Sequence, residues 1–327
     1  MAGIPTERTA NPATMLGGVL SGIASGALWG GIFVLPLVLG SFDAWQLSTG
    51  RYLIYGVISV ILLLPHWRRV TRRIGPREWL GLLGLGLLGN IVYYVLVAWG
   101  VQWAGSAPTA LIIGLIPVAT TLLGRREQGA ASLLSLLGPM ALCIVGVVAV
   151  AMHGLDHAHG TGHTLIKRIA GLLSAAAALG CWAAYSLWNR RWLLRYPELS
   201  SWDWMLLTGA ATGLAALPLA LPAFAAPLLA DTAGAPGHDA SDWLRFAMVV
   251  GATAALSSVA GNSCWNRASR LLPPTMIGQM VVFETLFALL YGFLYAWRWP
   301  AGLEWLAMAS LLAGVAWSAR AHRTRRA

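Results

Sequence analysis

The sequence predicts an all-α polytopic membrane protein of ten transmembrane helices, arranged as a five-plus-five inverted repeat with both termini cytoplasmic. Three observations carry this expectation: an apolar composition, ten long apolar runs, and a second half that repeats the first. Of the 327 residues, 57% are hydrophobic and 10% charged, and the mean hydropathy is +0.67, which places the chain in lipid. A helix needs about 20 residues to cross a hydrocarbon layer. Runs of that order lie near 15–37, 48–65, 79–99, 107–124, 131–152, 169–188, 203–224, 243–265, 274–296 and 302–319. None alternates with period two, and backbone polar groups in lipid must be satisfied within the protein, so helices rather than strands are expected. Arg8 precedes a first run long enough to span, which is expected to be a retained helix and not a cleaved signal.

Charge orients the runs, because short loops rich in Lys and Arg stay on the cytoplasmic side. Basic residues gather at 68–77, 125–126, 190–195, 267–270 and 320–326. The opposite side carries only Arg51, Lys167, Arg168, Arg245 and Arg298, together with both long loops, "HGLDHAHGTGHTLIKR" and "APLLADTAGAPGHDASDW". The net charge of +10 therefore reports topology, and a nucleic-acid partner is not expected. The resulting organisation is a cytoplasmic tail at 1–14, a first five-helix repeat at 15–152, an external His-rich loop at 153–168, a second repeat at 169–319 and a basic cytoplasmic tail at 320–327. The three cysteines, Cys143, Cys181 and Cys264, fall inside predicted spans and read as small apolar groups, not a disulfide framework.

The repeat appears when the halves are aligned. At an offset of 153, "GVLSGIASGALWG" falls on "GLLSAAAALGCWA", with Gly18/Gly171, Ser21/Ser174 and Trp29/Trp182 identical. Further on, "WQLSTG" falls on "WMLLTG" at offset 159, Trp99, Pro108 and Thr109 on Trp265, Pro274 and Thr275 at offset 166, and "MALCIVGV" on "MASLLAGV" at offset 168. Four matches in chain order, with offsets drifting only as loops lengthen, indicate duplication. Five helices per half is odd, so the second copy must be inverted, and inverted halves around a midplane site can rock to expose it to either side in turn.

The residues also resemble the ten-helix EamA-like transporters of the drug/metabolite transporter superfamily. The resemblance rests on "SGIASGALWG" in helix 1, "YYVLVAWGVQWAGSAPTALIIGLIPVATTLLG" across helices 3 and 4, Glu127 after helix 4, "GVVAV" at the end of helix 5, and "CWNRASRLLPPTMIGQMVVFETLFALLYGF" in the second half. It implies a secondary carrier that exports metabolites or drug-like compounds. The second half departs from the family pattern where "YAWRWP" replaces the acid mirroring Glu127 and where Phe283 stands opposite Pro117.

One residue stands out as a candidate site. Of the twelve Asp and Glu residues, only Glu284 lies deep within a span, near the middle of helix 9. A charge there costs about 3 kcal/mol on insertion scales, so it should face the bundle interior or be protonated. It could carry a proton that drives transport, hold a cationic group of a substrate, or be a neutral acid bonded to a neighbouring helix. Tyr291 shares its helix face. Trp29, Trp182, Asn90, Tyr94, Asn262 and Trp265 complete the candidate substrate or proton site, against the alternative that each serves helix packing or interfacial anchoring. Arg51, near the outer end of helix 2, is expected to snorkel to the interface.

Glycines 18, 22, 26 and 30 recur every fourth residue along helix 1, which predicts a close packing face. His153, His157, His159 and His163 with Asp156 sit in a glycine-rich loop whose spacing sets no ligand geometry, so neither a metal site nor a cofactor is expected. No HExxH, GxSxG or phosphate-cradling glycine loop is present and Glu284 has no intramembrane carboxylate partner, which argues against an enzyme. No rings of charge or filter motif suggest a channel, and the alternative to a carrier is a non-transporting membrane sensor or structural protein, which would not need an intramembrane acid. The expected function is secondary active transport of a small organic solute across the cell inner membrane. The expected partners are that solute, membrane lipid, protons at Glu284 and, as a further option, a second copy of the chain.

Overall fold

The chain is known as a computed structural model, which describes residues 12–72, 74–116, 119–120, 165–225, 238–272 and 274–323. Predicted helix 5, the end of helix 4, Glu127, Cys143 and the His-rich loop lie outside the described residues. Among the described residues every regular element is helical. The order is α1 (Pro12–Gly30), α2 (Leu35–Val38), α3 (Ala44–Leu63), α4 (Trp67–Thr71), α5 (Pro76–Gly86), α6 (Val92–Ala104) and α7 (Ser106–Ile113). After these come α8 (Leu165–Arg195), α9 (Ser201–Ala220), α10 (Ala240–Thr253), α11 (Asn262–Leu271), α12 (Pro274–Tyr295) and α13 (Gly302–Arg323).

Several of these join into longer rods. Wider π turns at Leu87–Ile91 and Ala254–Gly261 link α5 to α6 and α10 to α11 without breaking the helix. Among the described residues six rods are then long and apolar enough to cross a membrane: Ala13–Val38, Ala44–Thr71, Pro76–Ala104, Leu165–Arg195, Ser201–Ala225 and Ala240–Leu271. They coincide with predicted helices 1, 2, 3, 6, 7 and 8. The helices α12 and α13, with 22 residues each, stand where helices 9 and 10 were expected.

Boundaries differ from the expectation for a physical reason. Hydropathy marks the part of a helix that sits in hydrocarbon, whereas backbone hydrogen bonding continues into polar turns. Thus α8 extends seven residues past the predicted end at 188 through "NRRWLLR" to Arg195. Starts are set by caps. Asp43 accepts from Gln46 N at 2.8 Å while the Gln46 side chain accepts from Asp43 N at 3.0 Å, a reciprocal box that starts α3 at Ala44, four residues before the apolar run. Ser200 caps α9 by accepting from Asp203 N at 2.9 Å, and Pro76 opens α5 where its missing N–H costs nothing.

Packing runs in matched pairs. At the centre α3 lies along α9, and Gly56 and Gly213 let the backbones touch: a Cβ on either would stand 2.5 Å from the other's Cα. On one flank α6 packs on α8 and α8 on α7; on the other α11 packs on α1 and α1 on α12. The α6–α7 corner turns at Gly105, whose φ of +100° suits glycine. The α11–α12 corner, at Leu272, occupies the corresponding place in the second half.

Candidate functional site

Glu284 stands ten residues into α12, about 15 Å from its start at 1.5 Å per residue. It is 1% exposed, and neither its Oε2 nor the Oγ1 of the adjacent Thr285 has a hydrogen-bond partner among the described residues. The glycine stripe of α1 sets this position. A Cβ at Gly22 would meet Met280 at 2.6 Å, one at Gly26 would meet Glu284 N at 2.7 Å, and one at Gly30 would meet Phe287 at 2.7 Å. The spacing of four thus brings the α1 backbone against the carboxylate's own turn of helix.

The groups that act electrostatically on Glu284 come from α3 and α6: the Arg51 guanidinium and the Tyr93 hydroxyl. Tyr93 Oη neighbours the carboxylate but closes no hydrogen bond of ordinary length among the described residues, and no direct ion pair joins Arg51 to Glu284.

Arg51 corrects an expectation. It does not snorkel; it is 4% exposed. The early cap at Asp43 places it seven residues inside α3, about 10 Å from the helix start, on a face shared with Ser48, Tyr52, Tyr55 and Ser59, all buried. Its Nε donates to Ser258 Oγ at 3.0 Å. Its guanidinium carbon lies 4.6 Å from the centre of the Tyr94 ring and 5.1 Å from that of Tyr52, within cation–π range. Its NH1 is buried without a partner among the described residues.

A tryptophan triad adjoins this group. Trp29 meets Trp182 edge-on at 6.0 Å between ring centres and Trp265 at 5.3 Å, and Trp182 meets Trp265 at 5.2 Å. The three residues come from α1, α8 and α11, and two of them, Trp29 and Trp182, are mates in the sequence repeat. Trp29 Nε1 donates to Ser257 O at 3.0 Å, one residue from the Ser258 hydroxyl that holds Arg51. The π turn that contains both serines therefore ties the aromatic triad to the guanidinium.

The structure thus gathers Glu284, Trp29, Trp182, Trp265 and Tyr94 with Arg51. Asn90 and Asn262 serve the adjoining helices instead. Asn90 Nδ2 donates to Thr212 Oγ1 at 3.0 Å, and Asn262 Nδ2 reaches Tyr55 Oη at 3.5 Å, which itself donates to Met205 O at 3.1 Å. Tyr291 lies two turns beyond Glu284, its ring 5.8 Å from Phe287. The residues that reading the sequence missed are Arg51 as a buried cation, Tyr52 and Ser258. The signal available was the polar face of helix 2, which repeats at positions 48, 51–52, 55 and 59. Among the described residues no cluster of His, Cys, Asp and Glu could hold a metal ion.

The chain has relatives among known proteins. The EamA-like transporter family matches residues 16–152. The inner membrane protein YtfF of Escherichia coli (strain K12) is 33% identical over 316 residues, covering 94% of this chain and 96% of that protein. A solved crystal structure, at 20% identity, shares the fold with a TM-score of 0.64 over 95% of this chain and 99% of its own. The chain belongs to the EamA-like transporter family and is a multi-pass transporter of the cell inner membrane.

Proposed function

We propose that this transporter is a secondary active carrier that exports a small organic solute by alternating access. Glu284 takes up and releases a proton during its cycle. The observation that carries this reading is the buried Glu284 carboxylate in the middle of α12, one oxygen of which has no partner among the described residues. Ionisable groups at that depth cost several kcal/mol unless they are used or neutralised, and a permanently structural acid would hold a donor.

The carrier is read as ten helices in two inverted sets of five, over 15–152 and 169–319, with both termini cytoplasmic. Support comes from the matched packing pairs: exchanging the halves turns α6 on α8 into α11 on α1, and α7 on α8 into α12 on α1. The π turn Leu87–Ile91, moved by the offset of 166, falls on 253–257 and so overlaps Ala254–Gly261. A wider turn in a helix is a place where register can change. Rocking of one half against the other about the Trp29–Trp182 contact would expose the site to each side in turn.

The test is a comparison of metabolites released by cells producing the wild type and Glu284→Gln at matched membrane abundance. The expected result is a compound enriched in the medium by the wild type and not by the variant. Equal enrichment by both would remove Glu284 from the cycle.

A further inference from the structure

We infer that the solute carried is an organic acid: its carboxylate is held by Arg51 and its apolar, ring-bearing body lies against the triad of Trp29, Trp182 and Trp265. This rests on the reading of the chain as a carrier and names the chemistry of its cargo.

The head group of the cargo follows from what Arg51 has and lacks. A guanidinium buried to 4% exposure seven residues inside a membrane helix is costly unless its donors are used. One donor, Nε, goes to Ser258 Oγ, and the plane is braced by the Tyr52 and Tyr94 rings. These contacts fix its position without neutralising it. NH1 is left buried and without a partner among the described residues, a donor in an orientation set by its neighbours. Arginine's planar fork suits a carboxylate, and the brace removes the entropy that a free side chain would lose on binding one.

Nearby negative charge does not fill this role. Glu284 makes no ion pair with Arg51, and with its proton on, Glu284 leaves Arg51 as a buried cation for which an entering anion is the counter-charge. The body of the solute is indicated by the second anchor on the same π turn. Trp29 is tied to Ser257 O and Arg51 to Ser258 Oγ, so the head-group donor and the aromatic triad start from consecutive residues. A flat apolar body joined to a carboxylate spans those two features, and ring stacking adds to its area burial.

Binding to purified protein in detergent tests this without any transport. Phenylacetate and indole-3-acetate would be compared with their neutral amides and with phenethylamine and tryptamine, which carry the same rings on a cation, by the rise in thermal midpoint and by calorimetric titration. The acids are expected to bind at least ten-fold more tightly than the amides, and the amines not to bind. Arg51→Gln should abolish the difference between acid and amide, and Arg51→Lys should weaken acid binding several-fold. Glu284→Gln, which holds the position in its neutral form, should bind the acids at least as tightly as the wild type. Equal binding of acid and amide, or failure of the acids to bind, would overturn the inference, and so would amine binding lost in Glu284→Gln. The wild-type comparison needs no variant to fold. Acid binding that survives alongside unchanged export by Glu284→Gln would sink the proton cycle and leave the Arg51 site standing.

Discussion

Two buried glutamates separate structure from function in this molecule. Glu304, in the first turn of α13, is 3% exposed. It receives both arms of the Arg298 guanidinium at 2.6 Å and Ala301 N at 2.8 Å. Glu284, in the middle of α12, is equally buried but leaves Oε2 without a partner among the described residues. The first is a helix-start carboxylate neutralised by a bidentate cation and a backbone N–H, an arrangement that fixes the turn between α12 and α13. The second is surrounded by groups that stop short of it. A carboxylate whose hydrogen bonds are complete has nothing left to exchange, whereas one held open in a rigid seat can change its proton.

The rigid seat is the easiest part of this contrast to break. In Gly26→Val the new side chain would be built 2.7 Å from Glu284 N, against backbone that cannot swing away. We expect a loss of at least about 3 kcal/mol, seen as a collapse in the monodisperse yield on size exclusion. Next in size is Glu304→Ala, which strips a half-exposed arginine of its partner and leaves Ala301 N unpaired. Allowing for solvent screening of Arg298, about 1–2 kcal/mol should be lost, measured as a lower thermal midpoint.

Glu284→Gln sharpens the comparison from the other side. Stability should be unchanged or higher by up to about 1 kcal/mol, because a buried ionisable group without complete partners is removed. A drop in midpoint as large as that of Glu304→Ala would show the two acids to be alike. Trp29→Phe removes one donor to Ser257 O and should cost about 1 kcal/mol, with acid binding weakened more than stability.

The smallest expected effect is a pH dependence far from the site. Asp239 caps α10, and the Ser241 hydroxyl and the Asp242 N–H hold its carboxyl below the usual carboxylate range. A depressed folded-state value means that the cap contributes above the ordinary carboxylate pKa and is lost as pH falls through the lowered one. Protection of the α10 first-turn amides, their exchange relative to the unfolded rate at the same pH, should therefore fall in acid, and Asp239→Ala should show low protection at every pH. Protection that does not respond to acid in the wild type would show that the cap does not hold this turn.

Much of the architecture was legible because lipid imposes a simple rule. A run of apolar residues long enough to cross must be helical, so the positions of helices 1, 2, 3, 6, 7 and 8 could be read directly. The glycine stripe of helix 1 was legible for a similar reason, since only close helix approach explains four glycines on one face. Glu284 stood out because a single acid in an apolar run breaks the pattern. Arg51 did not, because it lies near the end of its apolar run and hydropathy cannot see that Asp43 and Gln46 start the helix earlier. The union of Trp29, Trp182 and Trp265 was equally hidden, each being an ordinary tryptophan within its own helix.

By itself, then, the sequence determined that this chain crosses the membrane many times and which acid interrupts an apolar run. These follow from transfer free energy and from periodicity, which are properties of single segments. Only the tertiary structure decided that Arg51 points inward, that three tryptophans from α1, α8 and α11 meet, and that consecutive serines of one π turn hold both. Those facts depend on how helices distant in sequence rotate about their axes and press together, and no single segment carries that information.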